Sequence, residues 1–343
     1  MQLGFFDIDD KYEKLTKLGD PLMKINEIID FTMFEEIYYK AFPIIDKPSE
    51  KNPKNAGRKP IPASVIIRTI FLKRLYGLSN GQTEYQITDR HSFQRFVGID
   101  ANKNAPDFTT IWKRENQLSK LGYVDLMFKR FDQFLNEQGY MASGGAIVDA
   151  TIIEVPKQRN SREDNKRIKK GKVPKSFKKN RHKRAQKDID ARWTKKNNVN
   201  YYGYKNHVMI DSHHKLIRAY DVTPANVHDS VPAPGLLHGA VVDELYGDGA
   251  YPSDTLRELM DNLCIRDRLS EKGCKNKKLT PSQIKSNHQK SKTRCRIEHV
   301  FGFMENTMNS LFIRTIGMTR AKCQIGLTNL VYNICRYTQL QKA

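Results

Sequence analysis

A chain of 343 residues is long enough for a sizeable buried core and for two or three domains. A hydrophobic fraction of 38% with 10% aromatics excludes wholesale disorder, and a net charge of +21 favours a polyanionic partner. No run approaches the roughly 18 apolar residues of a membrane span, and the acidic start from Met1 to Lys14 lacks a basic-then-apolar secretion signal, so the expectation is a cytoplasmic protein near nucleic acid.

Short amphipathic helices are predicted between Tyr12 and Ala41, followed by a linker rich in Lys, Asn and Pro from Lys47 to Pro62. The linker sets the segment 1–46 apart from the rest of the chain. From Ala63 to Gly139 apolar residues such as Val65, Ile66, Ile70, Leu72 and Leu75 recur at helical spacing, with Gly77 as a stop and Asp107 as an N-cap. Lys73, Arg74, Arg90, Arg95, Lys113 and Arg114 give these helices basic faces. The region reads either as a helix-turn-helix-like DNA-binding unit or as a helical bundle with solvated charges.

After Gly144 the pattern changes to strands. Ala146 to Val155 is a β-branched apolar run, and Tyr202 to Ile210 and Leu216 to Val222 come after it, with His213 and His214 in a hairpin turn. Helices are predicted at Val227–His238, Pro252–Asn262, Arg294–Asn309 and Lys322–Tyr337, so residues 140–343 read as an α/β domain. Cys264, Cys274, Cys295, Cys323 and Cys335 are odd in number and form no CxxC pair, which points to reduced cysteines rather than disulfides or zinc.

Between Lys157 and Lys196, 40 residues hold 18 lysines and arginines against four acids, a net +14 of the chain's +21. Such charge must be solvated or set on phosphates, and its density favours sequence-independent contact with DNA. The candidate contacts are Lys169, Lys170, Lys172, Lys178, Lys179, Arg181, Lys183, Arg184, Arg192, Lys195 and Lys196.

Three acids could carry chemistry. Asp149 interrupts the most strand-like run of the chain, where an ionised carboxylate is costly unless hydrogen-bonded, paired or bound to a cation. Asp248 follows a short strand in Tyr246-Gly247-Asp248-Gly249-Ala250-Tyr251, at the kind of strand end where ligands bind, although Asp-Gly also marks ordinary turns and Asp243 is a rival. Glu298 shares a helical stripe with Arg294, continued by Glu305, beside a buried face of Ile297, Val300, Phe301, Met304 and Met308. Alone, that pair reads as a surface salt bridge. Together the three carboxylates form an all-oxygen set suited to Mg²⁺ or Mn²⁺, and two such ions support in-line phosphoryl transfer.

The segments around these acids resemble bacterial insertion-sequence transposases with a DDE catalytic domain, in particular insertion-sequence family five. The likeness is carried by Gly144 to Thr151, Asp190 to Lys196, Tyr202 to His207, Thr223 to Asp229, Gly247 to Tyr251 and Arg294 to Gly302. Thr83 to Phe96 and Ala105 to Arg114 resemble the N-terminal domain of these proteins. The resemblance implies an RNase H-like catalytic domain, a mixed sheet flanked by helices, behind an all-helical N-terminal domain. It implies Asp149, Asp248 and Glu298 as metal ligands and catalytic residues, and the basic segment 157–196 as an insertion after the first strand. It also implies magnesium-dependent cleavage at terminal inverted repeats, transfer of the 3′ hydroxyl to target DNA, and a homodimer on double-stranded DNA, without membrane or small-molecule partners. The sequence departs from the family's Tyr, Arg, Glu, Lys signature at Ser291, where a tyrosine is expected, and at Glu305, where a lysine is expected. Lys205, His207 and His228 are auxiliary candidates, the first two on a strand expected to pair with that of Asp149. A DNA-binding protein that has lost catalysis and a stand-alone metal nuclease are the other readings.

Overall fold

The computed structural model describes residues 7–43, 61–100, 104–142, 144–274 and 278–341, so most of the expected linker lies outside the described residues. The chain divides into two compact units, residues 1–131 with 334–343, and residues 132–333. No helix among the described residues is long and apolar enough to cross a membrane.

The first unit is helical: α1 (Asp7–Lys17), α2 (Pro21–Ile28), α3 (Glu35–Ala41), α4 (Ala63–Leu75), α5 (Asn80–Asp89), α6 (His91–Val97), α7 (Phe108–Lys120) and the start of α8 (Tyr123–Glu137). Local chemistry sets the ends. Gly77 takes a left-handed φ of 61° after α4, Ser79 and Gln82 form a capping box on α5, and the Asp107 carboxylate accepts from the Thr110 amide at the start of α7. Leu72, Ile87, Phe96, Val97, Ile111 and Phe131 are fully buried in its core.

Most of its basic residues are engaged within the unit. Lys73 is buried against Glu115, Arg74 is buried, Arg95 donates to Tyr12 and Thr16, and Arg90 and Arg114 stack on Phe93 and Phe42. Lys113 is exposed. Of the expected basic face, Lys73 and Arg74 are absorbed into packing, Arg95 and Arg114 are half-buried, and Arg90 and Lys113 stay exposed.

The second unit is a mixed six-stranded sheet with helices on both faces. Its strands are β1 (Gly145–Glu154), β2 (Arg192–Lys196), β3 (Val199–Asp211), β4 (Ile217–Pro224), β5 (Glu244–Gly247) and β6 (Arg266–Leu269). Strand β3 runs antiparallel to β1 on one side, and on its other side pairs β2 along Val199–Gly203 and β4 along Tyr204–Ile210. Strands β1, β5 and β6 are parallel. At Gly203 an added Cβ would come within 2.0 Å of the Ile153 carbonyl, so only glycine lets β3 pass there from β1 towards β2.

The helices are α9 (Arg162–Lys169), α10 (Lys175–Lys179), α11 (Arg181–Ala185), α12 (Ala233–Leu236), α13 (Asp254–Asn262), α14 (Pro281–Arg294), α15 (Arg296–Gly302) and α16 (Met318–Leu340). One face of the sheet, with Val148, Met209 and Leu245, packs on α12 and α13. The other, with Ile153, Tyr204 and Val222, packs on Ala321 and Ile325 of α16. Asn329 and Asn206 exchange amide hydrogen bonds in that second layer, and Asn333 brackets the backbone of Ile217.

Two expected helices differ. Between Val227 and His238 only Ala233–Leu236 is helical, starting at Pro232 and Pro234, which suit a helix N-terminus, with the left-handed Gly239 soon after its end. The helix expected over Arg294–Asn309 is three pieces, α14 ending at Arg294, α15, and a π-helical turn from Phe303 to Thr307. All five cysteines are free.

Candidate active site

Strands β1 and β5 pair with Ile147 beside Tyr246, so continuing the register by two residues brings Asp149 alongside Asp248. Residues two apart share a face of a pleated strand, so Asp149 falls on the face of Ile147, while Asp248 stands one residue past the end of β5 and its charge acts on Asp149. Asp149 stands in the middle of β1, and Asp248 follows the carboxyl end of β5, the kind of strand end where α/β folds bind ligands. The Ala150 amide donates to Asp149 Oδ1 at 2.8 Å, and the Ala250 amide donates to Asp248 Oδ1 at 2.8 Å. Burial pushes the Asp149 carboxyl up to about 6; the Ala150 bond opposes this, the neighbouring Asp248 charge adds to it, and Arg294 and Lys196 pull it back. Asp243, the rival to Asp248, is exposed before the start of β5, at the opposite end of that strand.

Arg294, at the end of α14, places Nη1 3.6 Å from Asp149 Oδ2. Glu298 lies beyond the break at Cys295, on α15, whose Ile297 and Val300 are buried; its own side chain is exposed. Arg294 and Glu298 thus belong to two consecutive helices joined through Cys295, whose own backbone is helical, and Glu305 is exposed in the π-helical turn. Among the described residues no group of three or more His, Cys, Asp or Glu is arranged to hold a metal ion. The pair Asp149 and Asp248 nonetheless has the donor chemistry for one. Two neighbouring carboxylates, one of them raised by burial and by the other's charge, would be relieved by a hard divalent cation.

Lys205 and His207 do lie on the strand paired with β1, but on its other face. Their partners across the ladder are Ile152 and Ala150, while Asp149 pairs with Val208. Lys205 donates to the Val227 carbonyl and to Asp229, both at 2.8 Å. His207 is fully buried against Thr223, and desolvation holds its imidazole well below the usual range, so it is neutral at pH 7. His228 is exposed in the turn after β4 and bonded to Ser230. None of the three meets Asp149 directly. Tyr251 is fully buried and its hydroxyl has no partner among the described residues; burial, with Asp149, Asp229 and Asp248 nearby, keeps the phenol protonated.

The basic stretch 157–196 is folded. It contains α9, α10, α11 and β2, with Ile168, Phe177 and Ala191 buried. Lys169, Lys170, Lys172, Lys178, Lys179, Arg181, Lys195 and Lys196 are exposed. Three of the other candidates sit deeper. Lys183 reaches Asp164 at 3.8 Å and the ring of Phe177, Arg184 is half-buried, and Arg192 donates to the carbonyls of Ile168, Ile189 and Ala191. Strands β2 and β3 turn through Asn197 and Asn198, both at positive φ, which makes a tight hairpin with Lys196 at its tip.

Sequence reasoning passes over what anchors this stretch. Asp188, nearly fully buried, accepts from the amides of Asp190, Ala191 and Gly317 and from the Tyr204 hydroxyl, while Asp190 accepts from the Met318 amide at the start of α16. The available signal was that these are two of only four acids among 40 residues.

Residues 141–334 match the family described as Transposase DDE domain, and residues 10–117 match a second, described as Transposase domain (DUF772). No solved structure matches the chain. The matched DDE domain is RNase H-like, in agreement with the observed sheet, β4-β3-β1-β5-β6 with β2 extending the outer row. Proteins with this domain are metal-dependent polynucleotidyl transferases and endonucleases that act on DNA.

Proposed function

Because the chain belongs to the Transposase DDE domain family, we propose that it is the transposase of an insertion sequence, which binds terminal inverted repeats, cleaves there and transfers the 3′ hydroxyl to target DNA. The observation that carries this reading is the nearness of Asp149, in the middle of β1, to Asp248, just past the end of the neighbouring parallel strand β5, close enough for the charge of one to act on the other. The narrower assignment to insertion-sequence family five rests on the sequence motifs.

In this proposal Asp149, Asp248 and Glu298 hold Mg²⁺ or Mn²⁺, in two sites. Divalent ions there supply activation of water or a 3′ hydroxyl and charge stabilisation at the leaving oxygen. Asp149 and Asp248 are fixed by their amide hydrogen bonds, so their oxygens need little reorganisation to serve as ligands. Arg294 is the cation beside them, and it leaves Asp149 to grip a DNA phosphate when the carboxylate takes its ion. The exposed lysines of 157–196, with Lys196 acting on Asp149 from the hairpin tip, hold the duplex by its phosphates. A homodimer on DNA follows from the need to bring two ends together.

A purified strand-transfer assay with Mg²⁺ tests the reading. Asp149→Ala and Asp248→Ala abolish cleavage and joining while DNA binding persists; strand transfer unchanged by Asp149→Ala overturns the assignment. The second reading, a DNA-binding protein without catalysis, is favoured by Glu298 standing exposed rather than in a cluster with the two aspartates. Binding to inverted repeats with no cleavage in Mg²⁺ or Mn²⁺ decides for it.

A further inference from the structure

Helix α14 runs for 14 residues without one buried residue. A helix that is polar all round needs pairs of opposite charge along its surface, or a partner, to persist. Here Lys285, Lys290, Lys292 and Arg294 meet no acid within the helix, so no such pairs exist. Its attachment is polar. Asn287 bonds the backbone of Glu271 at 2.9 and 3.0 Å, Lys290 donates to the Leu269 carbonyl at 2.7 Å, Gln283 donates to Glu271, and Arg294 reaches Asp149. Gln283, Asn287, Lys290 and Arg294 recur at helical spacing and form the inner stripe.

The opposite stripe is Lys285, His288 and Lys292, all exposed, and it continues onto the exposed Arg296 of α15. We propose that this outer stripe of α14 is a second DNA-binding surface, which grips the phosphate backbone of duplex DNA, apart from the basic stretch 157–196. Charge complementarity names the partner: a stripe with cations and no acid, unsupported by an apolar face, suits a polyanion. The inference rests on the proposed transposase function for the identity of that DNA.

The test is a fluorescence-anisotropy titration of the full chain against a labelled random-sequence duplex over a range of salt. The double substitution Lys285→Gln and Lys292→Gln lowers the slope of log affinity against log salt by about 1.8, so that affinity lost between 50 and 200 mM salt shrinks by about tenfold. Lys285→Arg with Lys292→Arg restores the wild-type slope, which separates lost charge from lost folding. An unchanged slope in the Gln protein overturns the inference, and so does an Arg protein that behaves like the Gln one. Strand transfer by the wild-type chain is scored in parallel. Transfer with an unaltered Gln slope leaves the transposase reading standing and removes this surface, whereas a lowered slope without any cleavage does the reverse.

Discussion

At the scale of single residues, Asp149 carries opposing demands. Its carboxyl is raised from the ordinary 3.8 to about 6, so the folded protein holds this proton more tightly than the unfolded chain does. The stability so gained is complete below pH 3.8 and is lost as pH rises to 6, leaving a deficit on the order of 3 kcal/mol at neutral pH. Asp149→Asn therefore raises the Tm of the metal-free protein by a few degrees at pH 8 and hardly at all at pH 4, read by thermal melts; equal shifts at both pH values contradict the assignment. Mg²⁺ raises the Tm of the wild type and leaves the Asn protein unmoved. Tyr251 offers a second case. Its buried hydroxyl lacks a partner among the described residues, a state that costs roughly 1–3 kcal/mol, so Tyr251→Phe leaves the protein equally stable or more so in urea unfolding. Destabilisation by that change would reveal a hydrogen bond formed through water.

At the scale of elements, the basic stretch is held by a few acids. Asp188→Ala strands three amides and a tyrosine hydroxyl in a buried place, and costs about 3–5 kcal/mol in urea unfolding. Proteolysis between residues 157 and 196 becomes faster as the stretch loosens; an unchanged cleavage rate and midpoint would show that α16 does not anchor it. The strands of Asp149 and His207 are legible in the sequence because β-branched and aromatic residues fill buried positions along β1, β3 and β4. Strand β6, reading Arg-Asp-Arg-Leu, and helix α14 escape such a reading, since one is mostly polar and the other has no apolar period.

At the scale of the molecule, charge is shared unevenly between binding and structure. Lys178, Lys179 and Arg181 are exposed, and their joint replacement by Gln lowers the salt slope of DNA binding by about 2.7 without changing the melt. Arg192→Gln acts the other way, lowering stability through three lost carbonyl contacts, because its guanidinium ties β2 to α9. Equal effects of the two changes on both measurements would undo this division. By itself the sequence determined the class of protein and the α/β order after Gly144, and it singled out the two aspartates as candidates, because an acid inside a β-branched run and dispersed motifs are local facts of the chain. Only the tertiary structure decided which neighbours those residues have. The pleat of β3 turned Lys205 and His207 away from Asp149, and the interruption at Cys295 put Arg294 and Glu298 on two consecutive helices. Register and helix continuity are set by packing between segments distant in sequence, and no single segment encodes them.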